Sequence, residues 1–533
     1  MAKFRFLSFF YSNKAFLIYW LIVFLASFFI LFAHSIKFLD PDFGWHIRIG
    51  KDIIQTGNVP TIETYTFPTS GDSWVDHEWL SNYFLYKIYS SGTYGYWILG
   101  GISALIITLT SLIVVILTKK VILPRADPWK FFFFGSLLQY FNIYALLNSF
   151  GIRLQILSWF FTIILCGIFL LSHLYKKYWL LLFVPLLMLL WANLHGTFFL
   201  GLFCITIFSL FSVFAAKKPL KVKMLYLVSW IISILITLAT PYKTKLWKLV
   251  LEDYTQNRGY LMQIKEWLPM YAAPYIEWFS GLFISFFVAL FLIGVLSKVI
   301  KINKTSLFCF VFVFGMLALS IQSRRFLPFF VFLSYPISLF ILLRIFPDVI
   351  IKKWINIFLV VLFFSVIPFK IQYIKTVPFD LFRQNIDSSP YSALLFLQSH
   401  HEFRELNLYN PYGWGGYLDW MWPEKQIFID GRMPQKPLAN GNTYLEEYFT
   451  LRQEDTMREK FEEYDIKFVL IPPSRPHKKA GKIERHILEN FFLVDLDEFN
   501  KEEPIYSFLR ENWKEVYSDN TAIVYLHPSV ELQ

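Results

Sequence analysis

The chain has little with which to cross-link itself and few charges for its length. Its three cysteines, Cys166, Cys204 and Cys309, all fall inside apolar runs, so neither a disulfide framework nor a cysteine-ligated zinc is expected. Charged residues make up 17% of the chain and hydrophobic ones 56%, which takes it outside the range of soluble globular proteins. No HExxH pair occurs, and no internal repeat or low-complexity stretch beyond phenylalanine-rich runs. The net charge of +11 does not point to nucleic acid, because Lys and Arg sit largely in short connections between apolar runs. No nucleic-acid partner is therefore expected.

What the chain does have is apolar segments of spanning length, since about 20 helical residues cross the ~30 Å hydrocarbon core. The first, Ala15 to Ala33, is long for a signal peptide and lacks a small-x-small cleavage site, so it is read as a retained anchor. Ten more follow, beginning near Tyr94, Phe131, Ile156, Trp179, Phe198, Met224, Trp278, Leu307, Phe326 and Ile355. Alternate connections are lysine-rich, as in KKPLKVK and SKVIKINK, which is the positive-inside pattern. The expectation is a polytopic α-helical membrane protein of about eleven transmembrane helices in the plasma membrane, with a cytoplasmic N-terminus. Residues 1–370 form the membrane domain, with a first external loop at 34–93, and residues 371–533 an extracytoplasmic α/β domain.

That topology gathers the polar residues on one membrane face. Asp40, Asp42 and His46 of DPDFGWH, and Asp76, His77 and Glu78 of WVDHEWL, share the first loop. Arg153 and Gln155, Asn193 and His195, Glu266, and the tandem Arg324 and Arg325 come from four later connections. Ionisable groups at a bilayer are costly and tend to line cavities or pair with one another, so five converging connections point to a site. In DPD, one carboxylate suits proton abstraction from an attacking hydroxyl, Asp42 ahead of Asp40. A second carboxylate suits a divalent cation, Mg or Mn, or the orienting of an acceptor. The competing structural reading is that Asp-Pro simply punctuates a helix end. His46, His77 and Glu78 serve equally well as metal ligands, as a second acid/base layer, or as hydrogen bonds holding the loop. Arg153, Arg324 and Arg325 suit a phosphate. One of the tandem pair is expected elsewhere, because adjacent helical residues point about 100° apart. Asn193 and His195 compete with plain packing at Gly196, and Glu266 with Trp267 is placed on the acceptor side.

In the tail, SSPYSALLFLQSH and TMREKFEEY read as helices. ELNLY, QIFID and IKFVLI read as strands, and WKEVYSDNTAIVYLHP as a hairpin about Asp519-Asn520. Trp414, Tyr417 and Trp420 offer stacking faces for a sugar, although core packing ranks above that. Asp430 and Arg432 of IFIDGR are expected to pair.

The stretch from LDPDFGWHIRIG to WVDHEWL resembles the first external loop of multispan proteins classed with the GT-C glycosyltransferases, the superfamily of oligosaccharyltransferases, protein O-mannosyltransferases and aminoarabinose transferases. The resemblance continues through IRLQ, WANLHGTFFLG, ATPY, IKEWLP and SRRFLPFF, and into the tail at YNPYGWGGYLDW, IFIDGRM and WKEVYSDNTAIVYL. The sequence departs from the family pattern at Leu154, where proline is usual, and at Thr240 and Lys243 of TPYK. The resemblance implies a polyprenyl-phosphate-linked sugar donor in the membrane lipid. It also implies a glycan, lipid or protein acceptor on the outer face, with the first-loop acid, Asp42 with Asp40 beside it, as base or metal ligand. A transporter or flippase of lipid-linked saccharides, or a non-catalytic envelope-assembly protein, remain the alternatives. A transporter would need polar groups reaching both faces, and these crowd one.

Overall fold

The computed structural model describes residues 14–38, 40–215, 218–255, 259–300, 304–347, 349, 351–384 and 389–531. Lys3 and Arg5 of the basic start, Leu39, and the loop lysines Lys217 and Lys301 lie outside them. The chain is mostly helical, with a small sheet near its C-terminus.

Helices stand at every expected apolar segment. They are α1 (Lys14–Ser35), then, after two helices of the first loop, α2 (Phe43–Thr56) and α3 (Trp79–Tyr89), α4 (Gly95–Leu117), α5 (Pro128–Leu146) and α6 (Gln155–Tyr175). There follow α7 (Phe183–Leu194), α8 (Phe198–Leu210), α9 (Leu220–Ile236), α10 (Thr244–Thr255), α11 (Trp278–Leu296), α12 (Lys304–Gln322), α13 (Leu327–Ile345) and α14 (Lys353–Ile374). Among the described residues, six helical stretches are long and apolar enough to cross a membrane, and three more are apolar but shorter: Tyr178–Leu194, Phe198–Phe214 and Cys309–Gln322. This is a membrane protein, and eleven crossings remains an expectation. Many of its largest side chains face outward, such as Leu282 and Val311 at 64% exposure, which suits lipid contact in helices that bury only part of their apolar surface. Local signals fix the helix ends: α5 opens with Pro128 at its first position and the Asp127 carboxylate accepting from the Lys130 N–H at 2.9 Å.

The first external loop is largely helical. α2 and α3 pack on each other, and α2 also packs under a short tail helix, α15 (Gly415–Met421). A Cβ on Gly44 would lie 1.8 Å from the Gly416 carbonyl oxygen, so the two backbones touch where these helices cross, and only glycine fits there. One apolar core consequently runs from Ala33 and Ile36 at the end of α1, through Phe43 and Ile47 of α2, to Leu418, Trp422, Phe468 and Leu526 of the tail. The tail is seated on the loop.

The sheet contains β1 (Asn407–Tyr409), β2 (Ile466–Ile471), β3 (Lys514–Ser518) and β4 (Ile523–Leu526), in the order β1-β2-β4-β3. β1 runs parallel to β2, and the other neighbours are antiparallel. β1, β2 and the β3–β4 hairpin stand where the sequence placed them. The expected strand QIFID does not join this sheet. Ile427 instead bridges Thr66 of the first loop, exchanging backbone hydrogen bonds of 3.0 Å with Tyr65 and Phe67. The next N–H, of Phe428, donates to the Asn410 side-chain oxygen at 2.9 Å. A side chain and the loop satisfy this backbone in place of a neighbouring strand.

Candidate active site

The site lies where α1, α6, α7, α8, α12 and α13 end or begin on the side that carries the tail. Asp42 stands at the N-cap position of α2 and accepts from the Trp45 indole N–H through Oδ1 at 3.1 Å. Its own N–H donates to Asp40 Oδ1 at 3.0 Å, which sets the two carboxyls side by side. The backbone of Gly431, in the IFIDGR segment, closes over Asp42: a Cβ there would stand 2.2 Å from Oδ1. Asp42 is half-buried. Burial first, then the charge of Asp40, pushes its carboxyl up to about 7, against the pull of the Trp45 hydrogen bond and Arg153.

Two groups of side chains flank it. One is ionic. Arg153, from the turn before α6, has Nε 2.5 Å from Asp40 Oδ2 and donates from Nη1 to Glu266 Oε2 at 3.0 Å. Arg325 donates to the other Glu266 oxygen at 2.6 Å and lies over the Trp267 ring, 4.8 Å from its centre. Gln155, the first residue of α6, hydrogen-bonds to Glu266 as well. Burial alone would raise Glu266, but Arg325 and Arg153 outweigh it and hold the carboxyl below its usual range.

The other group is built around three imidazoles. Asn82 Nδ2 donates to Asp76 at 2.9 Å, which turns its oxygen toward His46, so His46 Nδ1 donates across 2.6 Å. His46 Nε2 is left as a lone pair 3.8 Å from Glu78. His195 is set the opposite way: the Thr197 N–H donates to its Nδ1 at 3.1 Å, so Nε2 carries the proton and faces Glu78 Oε1 at 3.1 Å. His77 Nε2 is 3.8 Å from the same oxygen. Burial dominates throughout, lowering His46 to about 3 and His77 to about 4 and raising Glu78 well above its usual value. The three imidazoles are therefore neutral at neutral pH. Beside both halves opens a cavity of about 440 Å³, walled by His77, His195, Arg325, Trp267 and Tyr260 among others.

The remaining candidates have other duties. Asn193 accepts from the Trp79 indole at 3.0 Å and donates to the carbonyls of Leu189 and Ala239, fastening α3 to the membrane helices. Arg324 is buried with its guanidinium on the carbonyls of Pro269 and Tyr275 and toward Glu277, away from Glu266. Tyr417 packs against Phe382, and Trp420 sits edge-on to Tyr86 and Tyr89. Sequence reasoning missed Trp45, Asn82 and Gly431. Trp45 lies in the same segment as Asp42, Asn82 lies two residues past WVDHEWL, and Gly431 is flanked by the Asp430–Arg432 pair.

Asp40 and Asp42 do not fit a divalent cation as they are placed. Asp40 is engaged by Arg153 and Asp42 by Trp45, whereas Mg²⁺ or Mn²⁺ takes several unencumbered oxygens. Among the described residues, no group of three or more His, Cys, Asp or Glu side chains is arranged to hold an ion.

Gly431→Ala tests the closure over Asp42. The added methyl displaces either the carboxylate or the tail, at about 1–3 kcal/mol for overpacking. A lowered melting midpoint of that size is the expected result, and an unchanged one rejects the contact.

No protein family model matches the sequence, and no curated protein matches it. Similar solved structures are those of the oligosaccharyltransferase of the archaeon Archaeoglobus fulgidus. Its complex with an inhibitory peptide and a dolichol-phosphate superposes with TM-score 0.56 at 13% identity, over 98% of this chain and 75% of that one. The form tethered to an acceptor peptide containing an NVT sequon gives 0.54 at 12% identity, and the apo form 0.51 at 12%, with the same coverage. At such identities the likeness establishes the fold alone, which is that of these oligosaccharyltransferase structures.

Proposed function

We propose that this chain is a membrane glycosyltransferase of the inverting kind, moving a sugar from a polyprenyl-phosphate-linked donor to a glycan, lipid or protein acceptor on the extracytoplasmic face. The observation that carries the reading is the placement of Asp42. It is a half-buried carboxyl pushed up to about 7 in the field of Asp40 and Arg153, and Glu266 links Arg153 to Arg325 on the wall of a cavity of about 440 Å³. Asp42 takes the proton from the acceptor as its oxygen or nitrogen attacks the anomeric carbon. The bond from that carbon to the phosphate oxygen breaks on the opposite side, and the departing phosphate carries away the electron pair. Arg325 receives that charge, since its Nε has no partner among the described residues and the side chain lines the cavity. Trp267 and Tyr260 offer faces for the sugar ring.

Dolichol-phosphate in the archaeal neighbour supports a lipid-phosphate donor here, and the acceptor peptide tethered in another of its structures supports a protein among the acceptors. The gathering of charged groups at one end of the bundle favours transfer over transport. In this reading the tail and that end face outward, with the N-terminus in the cytoplasm.

Arg325→Ala tests the phosphate assignment. A charge-assisted hydrogen bond contributes about 1.5–3 kcal/mol, so the variant should retain polyprenyl phosphate roughly 10- to 100-fold more weakly. The readout is equilibrium binding of a labelled polyprenyl phosphate to the detergent-solubilised protein. Affinity equal to wild type would remove the phosphate from this wall.

A further inference from the structure

We propose that the Arg153 guanidinium is a built-in replacement for a divalent cation, so that the acidic centre of this site takes up no Mg²⁺ or Mn²⁺. Three carboxylates from two connections meet around Arg153: Asp40 at 2.5 Å from Nε, Glu266 at 3.0 Å from Nη1, and Asp42 within reach of its field. Oxygen groups converging in this way commonly hold a hard cation. Here the centre of the set is filled by a group that is planar, carries five fixed donors, and cannot lose its charge.

The charges already balance. Asp40 and Glu266 face Arg153 and Arg325, and the third carboxylate, Asp42, shifts toward its protonated form. A divalent ion entering this set would meet Arg153 within a few ångströms and would have to strip Asp40 and Glu266 of their hydrogen bonds. The burial of Arg153, whose guanidinium carbon lies over the Phe38 ring 5.3 Å from its centre, holds the group in place. The same centre of charge then serves, with Arg325, the part of the reaction at which a metal would otherwise stabilise a leaving phosphate.

The test counts ions and uses no sugar substrate, so it can fail while the transferase reading stands, and the reverse. Full-length protein in detergent, washed with EDTA, is titrated with Mn²⁺ while the free-ion electron paramagnetic resonance signal is followed. Wild type should remove no Mn²⁺, and its melting midpoint should not change with Mn²⁺ or EDTA. Arg153→Ala should uncover the carboxylates, take up one Mn²⁺ per chain and melt higher in its presence. Stoichiometric uptake by wild type that is lost in Asp42→Asn overturns the proposal, as does a folded Arg153→Ala protein that takes up none. Should Arg153→Ala not fold, Arg153→Lys keeps the charge. No uptake by that variant and by wild type sustains the proposal, and uptake by either overturns it.

Discussion

Asp42→Asn should lower sugar transfer by about 10²- to 10⁴-fold in kcat/KM, the range a positioned general base supplies. The melting midpoint should hold or rise. The two effects separate because the carboxamide is nearly isosteric: its oxygen still accepts from the Trp45 indole, and the like charge beside Asp40 disappears. Transfer from a polyprenyl-phosphate donor in proteoliposomes reads the first effect, and a thermal melt of the same preparation the second. Wild-type transfer in the variant rejects Asp42 as base. A variant that fails to fold is not expected, because removing a buried charge relieves a cost.

The pH dependence carries the same signature with a fixed sign. Only the deprotonated carboxyl accepts a proton, so wild-type transfer should fall as pH drops through about 7, well above the ordinary aspartate range. Stability moves the other way. The native state holds this proton more tightly than the unfolded chain does, so the contribution is fully present below the ordinary aspartate pKa and is lost as pH rises through about 7. Asp42→Asn should abolish that part of the slope. His46 and His77, lowered to about 3 and about 4 by burial, stay neutral in the native state and add no step to transfer, but they oppose Asp42 in the stability profile, because the unfolded chain takes up protons on them below about 6.5.

The residue types of this site were legible in the sequence because membrane segments leave so few places for charge. Asp42, His46, Glu78, Arg153, His195 and Glu266 stood out as polar exceptions at one ends-of-helix face, and they do meet there. What composition and spacing did not carry is who pairs with whom. That one member of the tandem Arg324–Arg325 would point elsewhere follows from the 100° between neighbours, but which one depends on the Pro269 and Tyr275 carbonyls, a matter of loop shape. The role of Gly431 was invisible for a related reason: a glycine near Asp42 in space is separated from it by nearly the whole chain. QIFID had a strand's composition, and only the tail's docking on Tyr65 and Phe67 decides where its backbone hydrogen bonds go.

Arg432→Ala should cost about 3–5 kcal/mol, the usual penalty for removing one partner of a buried ion pair, and should free the tail for proteolysis. Arg432 is buried and joins tail to loop. It donates to Glu63 at 2.7 and 3.1 Å and to Asp430 at 2.9 Å, with its plane over Tyr65 at 4.3 Å. Lysine is a single point charge and cannot bridge both carboxylates, so Arg432→Lys should recover little. Without the guanidinium, Glu63 and Asp430 remain buried beside Asp419, whose carboxyl is already pushed well up by burial and by Asp430. Protonation then becomes their remaining relief, so the alanine variant should gain more stability than wild type on acidification from pH 7 to 5. Melts across that range, with limited proteolysis of the tail, read both effects, and equal slopes would show that the pair carries no such strain. Gly431 lies between Asp430 and Arg432, and the bonds that fix those two residues also fix the backbone that closes over Asp42. Transfer should therefore fall in Arg432→Ala even at temperatures where the protein stays folded, because the base loses its lid before the chain loses its fold.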